Sequence, residues 1–195
     1  ELMFRVIDAL DFQAMTVVCG CGGGDVVRHH LARLISSPAH MVLDADALNA
    51  IAADSQLGAL LHARAARGRK TVLTPHPLEA ARLLGLSAAQ VQSDRLAAAQ
   101  QLAGRYACTV VLKGSGTVIV TPGEPPVINP TGSAALATAG TGDVLAGMIG
   151  ARLAAGDAPF AAACDAVYWH GASADAWPAN RPLCASELPQ LLHKI

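Results

Sequence analysis

The sequence predicts an α/β fold, a mostly parallel sheet with helices on both faces. Three observations lead there. Short β-branched runs alternate with longer, alanine-rich segments of helical spacing, and that alternation is the pattern of a parallel sheet covered on both sides. Segments rich in glycine or proline follow the runs and mark strand ends. Apolar residues make up 52% of the chain, but only 4% are aromatic and 40 are alanine, about two fifths of the apolar total. Such a core is built from small and aliphatic side chains, with helices packed close.

The elements follow in order. Thr16-Val17-Val18-Cys19 reads as a buried strand ending in Gly20-Cys21-Gly22-Gly23-Gly24, and a helix is predicted from about Asp25 to Ile35. His40 to Asp44 is the next strand. Leu57, Leu60, Leu61 and Ala65 recur at helical spacing within 55–67. Thr71 to Thr74 is a strand, stopped by Pro75-His76-Pro77, and Glu79 falls in a first helical turn. Ser87-x-x-Gln90 has the form of a capping box and opens a helix to about Gly104. Cys108–Leu112 and Thr117–Thr121 read as strands, and Ser115-Gly116 between them predicts an antiparallel hairpin. A short edge strand follows near Val127, then helices over 142–155, 159–176 and 186–193. With no repeat and no linker, residues 1–195 are expected to form one domain.

Composition removes several classes. Fourteen basic against 15 acidic residues give a net charge of −1, without the basic excess of a nucleic-acid binder. Charged residues at 15% argue against disorder. The longest charge-free run, between Glu124 and Asp143, carries prolines and polar residues and does not read as a membrane span. The N-terminus has no signal-peptide pattern. Five cysteines at irregular spacing, with Cys19-x-Cys21 unlike a zinc or redox pair, read as small core residues in a reducing cytoplasm.

In an open α/β sheet, ligands bind beyond the carboxyl ends of the strands. That rule selects Gly20–Gly24, Asp44–Asn49, Thr74–Pro77, Lys113–Thr117 and Thr138–Asp143. Gly140-Thr141-Gly142-Asp143 is the strongest, because small residues open a helix whose free N–H groups face an anion. Asp143 is either a cap of that helix or a base that takes a proton from a hydroxyl. Lys113, beside Gly114 and Gly116, suits a phosphate, and the alternative is an ordinary exposed lysine. His76, rigid between two prolines, is expected to contact a ligand. Asp44 and Asp46 could hold Mg2+ through water, although strand alternation would point them to opposite faces. A helix cap is the other reading of Asp46. His170 reads as packing, and His29-His30 as a solvated helix face.

Together, Gly20–Gly24, Leu43-Asp44-Ala45-Asp46-Ala47-Leu48-Asn49, Leu73-Thr74-Pro75-His76-Pro77-Leu78-Glu79, Leu112-Lys113-Gly114 and Ala137–Gly147 resemble, in this order, the bacterial ADP-dependent NAD(P)H-hydrate dehydratases. These form the carboxyl-terminal half of the YjeF-type repair proteins. The resemblance implies a ribokinase-like fold and an ADP-driven dehydration of hydrated NADH or NADPH (NADHX, NADPHX) that yields the intact cofactor, AMP and phosphate. It assigns the nucleotide to Lys113, Gly114, Ser115, Gly116 and Thr117 with Gly140, Thr141 and Gly142. It assigns the substrate to Gly22, Gly24, His76 and Asp143, with Asp143 catalytic. ADP or ATP is expected with Mg2+ bridging the phosphates, and the protein's own metal ligands stay open. A homo-oligomer without nucleic-acid or membrane partners is expected.

Two departures stand out. The family turn reads Gly-Pro-Gly-Leu-Gly, whereas this chain has Gly20-Cys21-Gly22-Gly23-Gly24. The family also carries one or two βα units before the segment equivalent to Glu1. The sheet is therefore expected to be incomplete on its N-terminal side, and the isolated chain to bind nucleotide poorly or to associate. A ribokinase-like small-molecule kinase using ATP and a non-catalytic nucleotide-binding fragment are the alternative readings.

Overall fold

The computed structural model describes residues 3–191. Six strands form one sheet in sequence order: β1 Thr16–Cys19, β2 His40–Leu43, β3 Lys70–Leu73, β4 Thr109–Leu112, β5 Val118–Val120 and β6 Val127–Ile128. β1 to β4 run parallel, with Thr16 opposite His40 and His40 opposite Lys70. β4, β5 and β6 pair antiparallel, as the Ser115-Gly116 turn predicts.

The order of the strands dictates where the helices go. Right-handed crossovers between parallel strands laid side by side place every connecting helix on the same face. That face carries α1 Gly24–Ser36, α2 Ala45–Ala53, α3 Ser55–Ala66, α4 Pro77–Leu84, α5 Ala88–Ser93 and α6 Arg95–Tyr106. The other face is covered by α7 Thr141–Ala154 and α8 Pro159–Asp175, which follow the sheet in the chain; α9 Leu188–Leu191 lies beyond.

Strand alternation splits the core accordingly. Met41, Leu43, Leu73, Val110 and Leu112 pack with the α1–α6 layer. Val42, Val72, Val111 and Ile119 pack with Leu145, Ile149 and the alanines of α8. The small residues permit close approach: a Cβ on Gly150 would lie 2.5 Å from Val18 Cγ2, so α7 rests directly on β1. At the opposite end of the sheet from the strand-end motifs, the fully buried Arg64 donates to Thr71 Oγ1, Ile35 O, Pro38 O and Lys70 O at 2.5–3.3 Å. It thereby satisfies carbonyls at and just beyond the end of α1, which would otherwise be orphaned.

Four sequence expectations need correction. The segment after β2 is not a strand end carrying two carboxylates: Asp44 is the N-cap of α2, and Asp46 lies in its first turn. Alternation therefore does not apply to the pair. The helix expected from Ser87 to Gly104 is two helices. Ser87 and Gln90 do form the capping box, but Asp94 (φ −149°, ψ 82°) breaks the chain and caps α6 by accepting from Ala97 N. The terminal helix expected at 186–193 is a 3-10 turn, Ala185–Glu187, followed by α9; residues 192 and 193 lie outside the described residues. α7 begins at Thr141, one residue before the expected start. Among the described residues, no helix is long and apolar enough to cross a membrane.

Candidate active site

The carboxyl ends of β1 to β4 and the start of α7 build the site. After β1, Gly20 has φ +113°, and a Cβ there would collide with the Asp44 carbonyl oxygen. Only glycine fits. Asp46 N donates to Gly20 O at 3.2 Å, and Gly24 N donates to Asp46 Oδ2 at 2.8 Å. Asp46 thus braces the glycine turn and caps a helix, satisfying the first N–H of α1 rather than one of its own helix. Gly22 and Gly24 also have positive φ, but open space lies where their Cβ would be.

Asp44 is 1% exposed. Its Oδ1 accepts from Lys113 Nζ at 2.7 Å. The next residue, Ala45, has φ +42°, a left-handed conformation that an alanine adopts only at a cost. Such strain concentrates where a side chain must be aimed. The lysine is therefore not an ordinary exposed one: it follows β4, donates its N–H to Pro75 O at 2.9 Å and is ion-paired below the loop it begins. That loop is held from outside by Arg95, which donates to Leu112 O and Ser115 O at 3.1 and 2.5 Å. A Cβ on Gly114 would lie 2.9 Å from the guanidinium. Sequence reasoning missed Arg95, because nothing in its helical context marks it.

His76 is the N-cap of α4. Its Nδ1 accepts from Leu78 N and Glu79 N, its Nε2 meets Glu79 Oε1 at 3.2 Å, and Glu79 Oε2 accepts from His76 N. Both ring nitrogens are spent within the capping box, so only the ring face is left without a partner. Glu79, in the first helical turn as expected, completes the capping box.

At the start of α7, Gly140 takes φ +87° and offers no capping side chain. The N–H groups of Thr141, Gly142 and Asp143 accordingly have no hydrogen-bond acceptor among the described residues. Thr141 Oγ1 donates to Leu136 O and Thr138 O, and His170 Nε2 lies 2.9 Å from Thr141 O. The carbonyl makes Nε2 the protonated nitrogen. Burial holds the His170 pKa below its ordinary value, so the ring stays neutral. His170 is a buried polar anchor of the helix start, which corrects its reading as packing.

These parts enclose a cavity of about 730 Å³, lined by His76, Lys113 to Thr117, Thr141, Gly142 and His170 among others. Gly140 and Asp143 lie outside its lining. Asp143 belongs with the glycine turn: one oxygen of Asp143, one of Asp44 and Cys21 Sγ all lie within 4.8 Å of one another. Burial pushes the Cys21 thiol up to about 12, and Asp44 and Asp143 add to the shift. It is therefore protonated at neutral pH. Lys113 is shared, lining the cavity and pairing with Asp44. The arrangement can hold a phosphate with free N–H groups and an ammonium, beside a carboxylate that can accept a proton. A second cavity of about 610 Å³, between α2, α3, α4 and α6, carries His62, Arg82 and Arg105. Those side chains bond Arg105 O, Asn49 and Leu83 O, respectively.

The sequence profile described as NAD(P)H-hydrate dehydratase matches residues 6–195. The chain is 45% identical over 182 residues to the ADP-dependent (S)-NAD(P)H-hydrate dehydratase of Neisseria meningitidis, covering 90% of this chain and 60% of that protein. It is 42% identical over 158 residues to the bifunctional NAD(P)H-hydrate repair enzyme Nnr of Escherichia coli, covering 80% of this chain and 29% of the relative. A crystal structure of the ADP/ATP-dependent NAD(P)H-hydrate dehydratase of Bacillus subtilis, co-crystallised with ATP/Mg2+, superposes with a TM-score of 0.74 at 30% identity. That match covers 95% of this chain and 64% of the other. A ribokinase-like superfamily protein of Enterococcus faecalis superposes with a TM-score of 0.69 at 25% identity, covering 91% of this chain and 62% of the other. With the strand-end motifs, the ribokinase-like sheet and the profile in agreement over nearly its whole length, the chain belongs to the NAD(P)H-hydrate dehydratase family.

Proposed function

We propose that the chain performs the ADP-dependent dehydration of hydrated NADH and NADPH, returning the dihydronicotinamide cofactor with AMP and phosphate. One observation carries this reading. Asp143 stands in the first turn of α7 beside backbone N–H groups without acceptors, and Lys113 reaches the same place from β4. A carboxylate beside an anion site costs binding energy unless the reaction uses it.

Asp143 takes the proton of the substrate's ring hydroxyl as that oxygen attacks the terminal phosphorus of ADP. The bond from phosphorus to the AMP oxygen breaks. The N–H groups of Thr141 and Gly142 and the Lys113 ammonium stabilise the charge spread over the phosphoryl oxygens. The phosphorylated hydroxyl then leaves as phosphate: the ring nitrogen's lone pair expels it as the carbon–oxygen bond breaks. The neighbouring ring carbon loses a proton, and the double bond is restored. Gly114, Ser115, Gly116 and Thr117, with Gly140, complete the nucleotide site. Gly22, Gly24 and the ring face of His76 complete the substrate site.

The donor set does not fit directly bound Mg2+, which demands hard oxygen ligands in octahedral array. Asp44 is committed to Lys113, and the third donor is sulfur. Mg2+ would then enter with the nucleotide and supply neutralising charge to it, without a ligand from this donor set. ADP is the preferred nucleotide in this reading, with ATP as its substitute. The five cysteines are free, consistent with a cytoplasmic, reducing location, and self-association and a single domain belong to the same proposal.

The test is a product assay with ADP and hydrated NADH. Free phosphate and AMP should appear in step with the dihydronicotinamide absorbance. A phosphoester that accumulates instead would establish a small-molecule kinase.

A further inference from the structure

The strand-end site absorbs the larger cavity; the second, of about 610 Å³ between α2, α3, α4 and α6, has no part in it. We propose that this second cavity is a binding site for a phosphate monoester with an apolar body. The proposal does not rest on the dehydratase reading.

The wall of the cavity is one-sided in charge. Arg82, Arg105 and His62 line it, and no carboxylate does. Among the described residues, neither guanidinium pairs with a carboxylate anywhere in the fold. Each is held by one hydrogen bond: Arg82 donates to Asn49 Oδ1 at 2.7 Å, and Arg105 donates to Leu83 O at 2.6 Å. Arg105 also rests over the Tyr106 ring, its guanidinium carbon 5.6 Å from the centroid. A guanidinium carries several N–H donors in a planar fork, so most of them are unspent. The helix ends do not account for them. α2, α4 and α6 all end at the cavity, and such ends attract cations. Yet the carbonyls there take one bond from Arg105 and one from His62.

Tyr106 points to a ligand independently. Its side chain is 3% exposed, and its hydroxyl has no hydrogen-bond partner among the described residues. The oxygen is not sealed inside the protein either; it opens to the cavity that Tyr106 lines. A buried phenol usually finds a partner. Burial holds its pKa above the ordinary value, so the group is an O–H donor. Gly58, where a Cβ would lie 3.6 Å from Tyr106 Cε1, leaves that ring edge uncovered.

His62 decides between phosphate and carboxylate. Its Nδ1 lies 3.0 Å from Arg105 O and therefore carries the hydrogen. Nε2 has no partner among the described residues. It accepts a hydrogen when neutral and donates one when protonated. It can therefore meet a phosphate monoester in both charge states that such a group has near neutral pH. A carboxylate offers no O–H to the neutral ring. Ile51 and Leu83 supply the apolar wall, and the volume suits a small organic molecule rather than a bare phosphate ion.

The probe is phenyl phosphate, titrated calorimetrically into the full chain. It should bind, and binding should persist in Lys113→Met/Asp44→Asn, which lacks the ammonium of the strand-end site. Arg82→Gln and Arg105→Gln should each weaken it about tenfold, and Tyr106→Phe about fivefold. Tyr106→Phe should leave the melting temperature of the free chain in place, because the hydroxyl it removes bonds nothing in the protein. Phenol should not bind, and benzoate should bind more weakly than phenyl phosphate. Any one of three results overturns the proposal: no binding at millimolar phenyl phosphate; affinity undiminished in both Arg82→Gln and Tyr106→Phe; or binding that is lost in Lys113→Met/Asp44→Asn and kept in Arg82→Gln. Benzoate binding as tightly as phenyl phosphate overturns the assignment to phosphate.

Discussion

Lys113 Nζ donates to Asp44 Oδ1 at 2.7 Å across 69 positions of sequence, joining the ends of two strands that β3 keeps apart. The aspartate is almost wholly buried and the lysine one-fifth exposed. The pair therefore has a structural share beside the role toward phosphate proposed for Lys113.

Lys113→Met should lower unfolding stability by about 3 kcal/mol, the low end for stranding a buried charge, because Lys113 keeps some solvent. ADP affinity should fall with it. Adding Asp44→Asn should recover much of the stability and none of the affinity. Urea unfolding and calorimetric titration on the same three variants check this. If the single variant is stable, the pair contributes nothing to the fold.

Asp143→Asn should reduce turnover by about 10²–10⁴, the usual share of a positioned general base. Nucleotide affinity should hold or rise slightly as repulsion is relieved. The N-cap is Gly140, and no side-chain cap bond is made there, so the melting temperature should barely move. Near-normal phosphate release by this variant would remove Asp143 from the chemistry.

Arg64→Leu should cost about 3 kcal/mol, since it leaves buried carbonyls without donors. Arg64→Lys should recover little, because a single ammonium cannot replace the planar fork. The residue lies at the amino end of β3, opposite the site, so turnover per folded molecule should be unchanged. Unfolding curves and specific activity, measured well below the midpoint, separate the two effects.

Alkaline pH should destabilise the protein through its thiols. Burial raises Cys19 to about 11 and Cys108 to about 12, and burial with nearby carboxylates raises Cys21 to about 12, from 9.0. Above about pH 9 the unfolded chain releases these protons while the folded chain keeps them, so stability falls as pH rises toward about 12. Below about pH 9 the contribution is fully present. The urea midpoint should drop between about pH 8 and pH 10, and Cys108→Ala should flatten that slope. A pH-independent midpoint would contradict it.

Much of this molecule can be read before folding it. The strands announce themselves as β-branched runs, and Gly-Thr-Gly-Asp at 140–143 marks a helix start with free N–H groups. Other features depend on information that a linear chain does not display. The break at Asp94 interrupts a segment that stays apolar at helical spacing on both sides, and only the backbone angles reveal it. The pairing of Asp44 with Lys113 requires the strand order. Asp46, Arg95 and His170 act on backbone groups of distant loops, and no local pattern encodes such contacts. Cys21 was visible as a departure from a family turn, but its carboxylate neighbours come from α2 and α7.

The seat of α7 on β1 has a consequence at a distance. Gly150 presses its backbone against Val18, with no room for even a methyl group. Eight residues back along the same rigid rod, about 12 Å away, stand the N–H groups at Gly142. The helix is thus a lever with its fulcrum at Gly150. A methyl group inserted at the fulcrum tilts the far end and moves the free N–H groups that stand there. On the function proposed for this helix start, changes in the plain alanine-and-glycine packing of the sheet's far layer should therefore reach nucleotide affinity without touching a site residue.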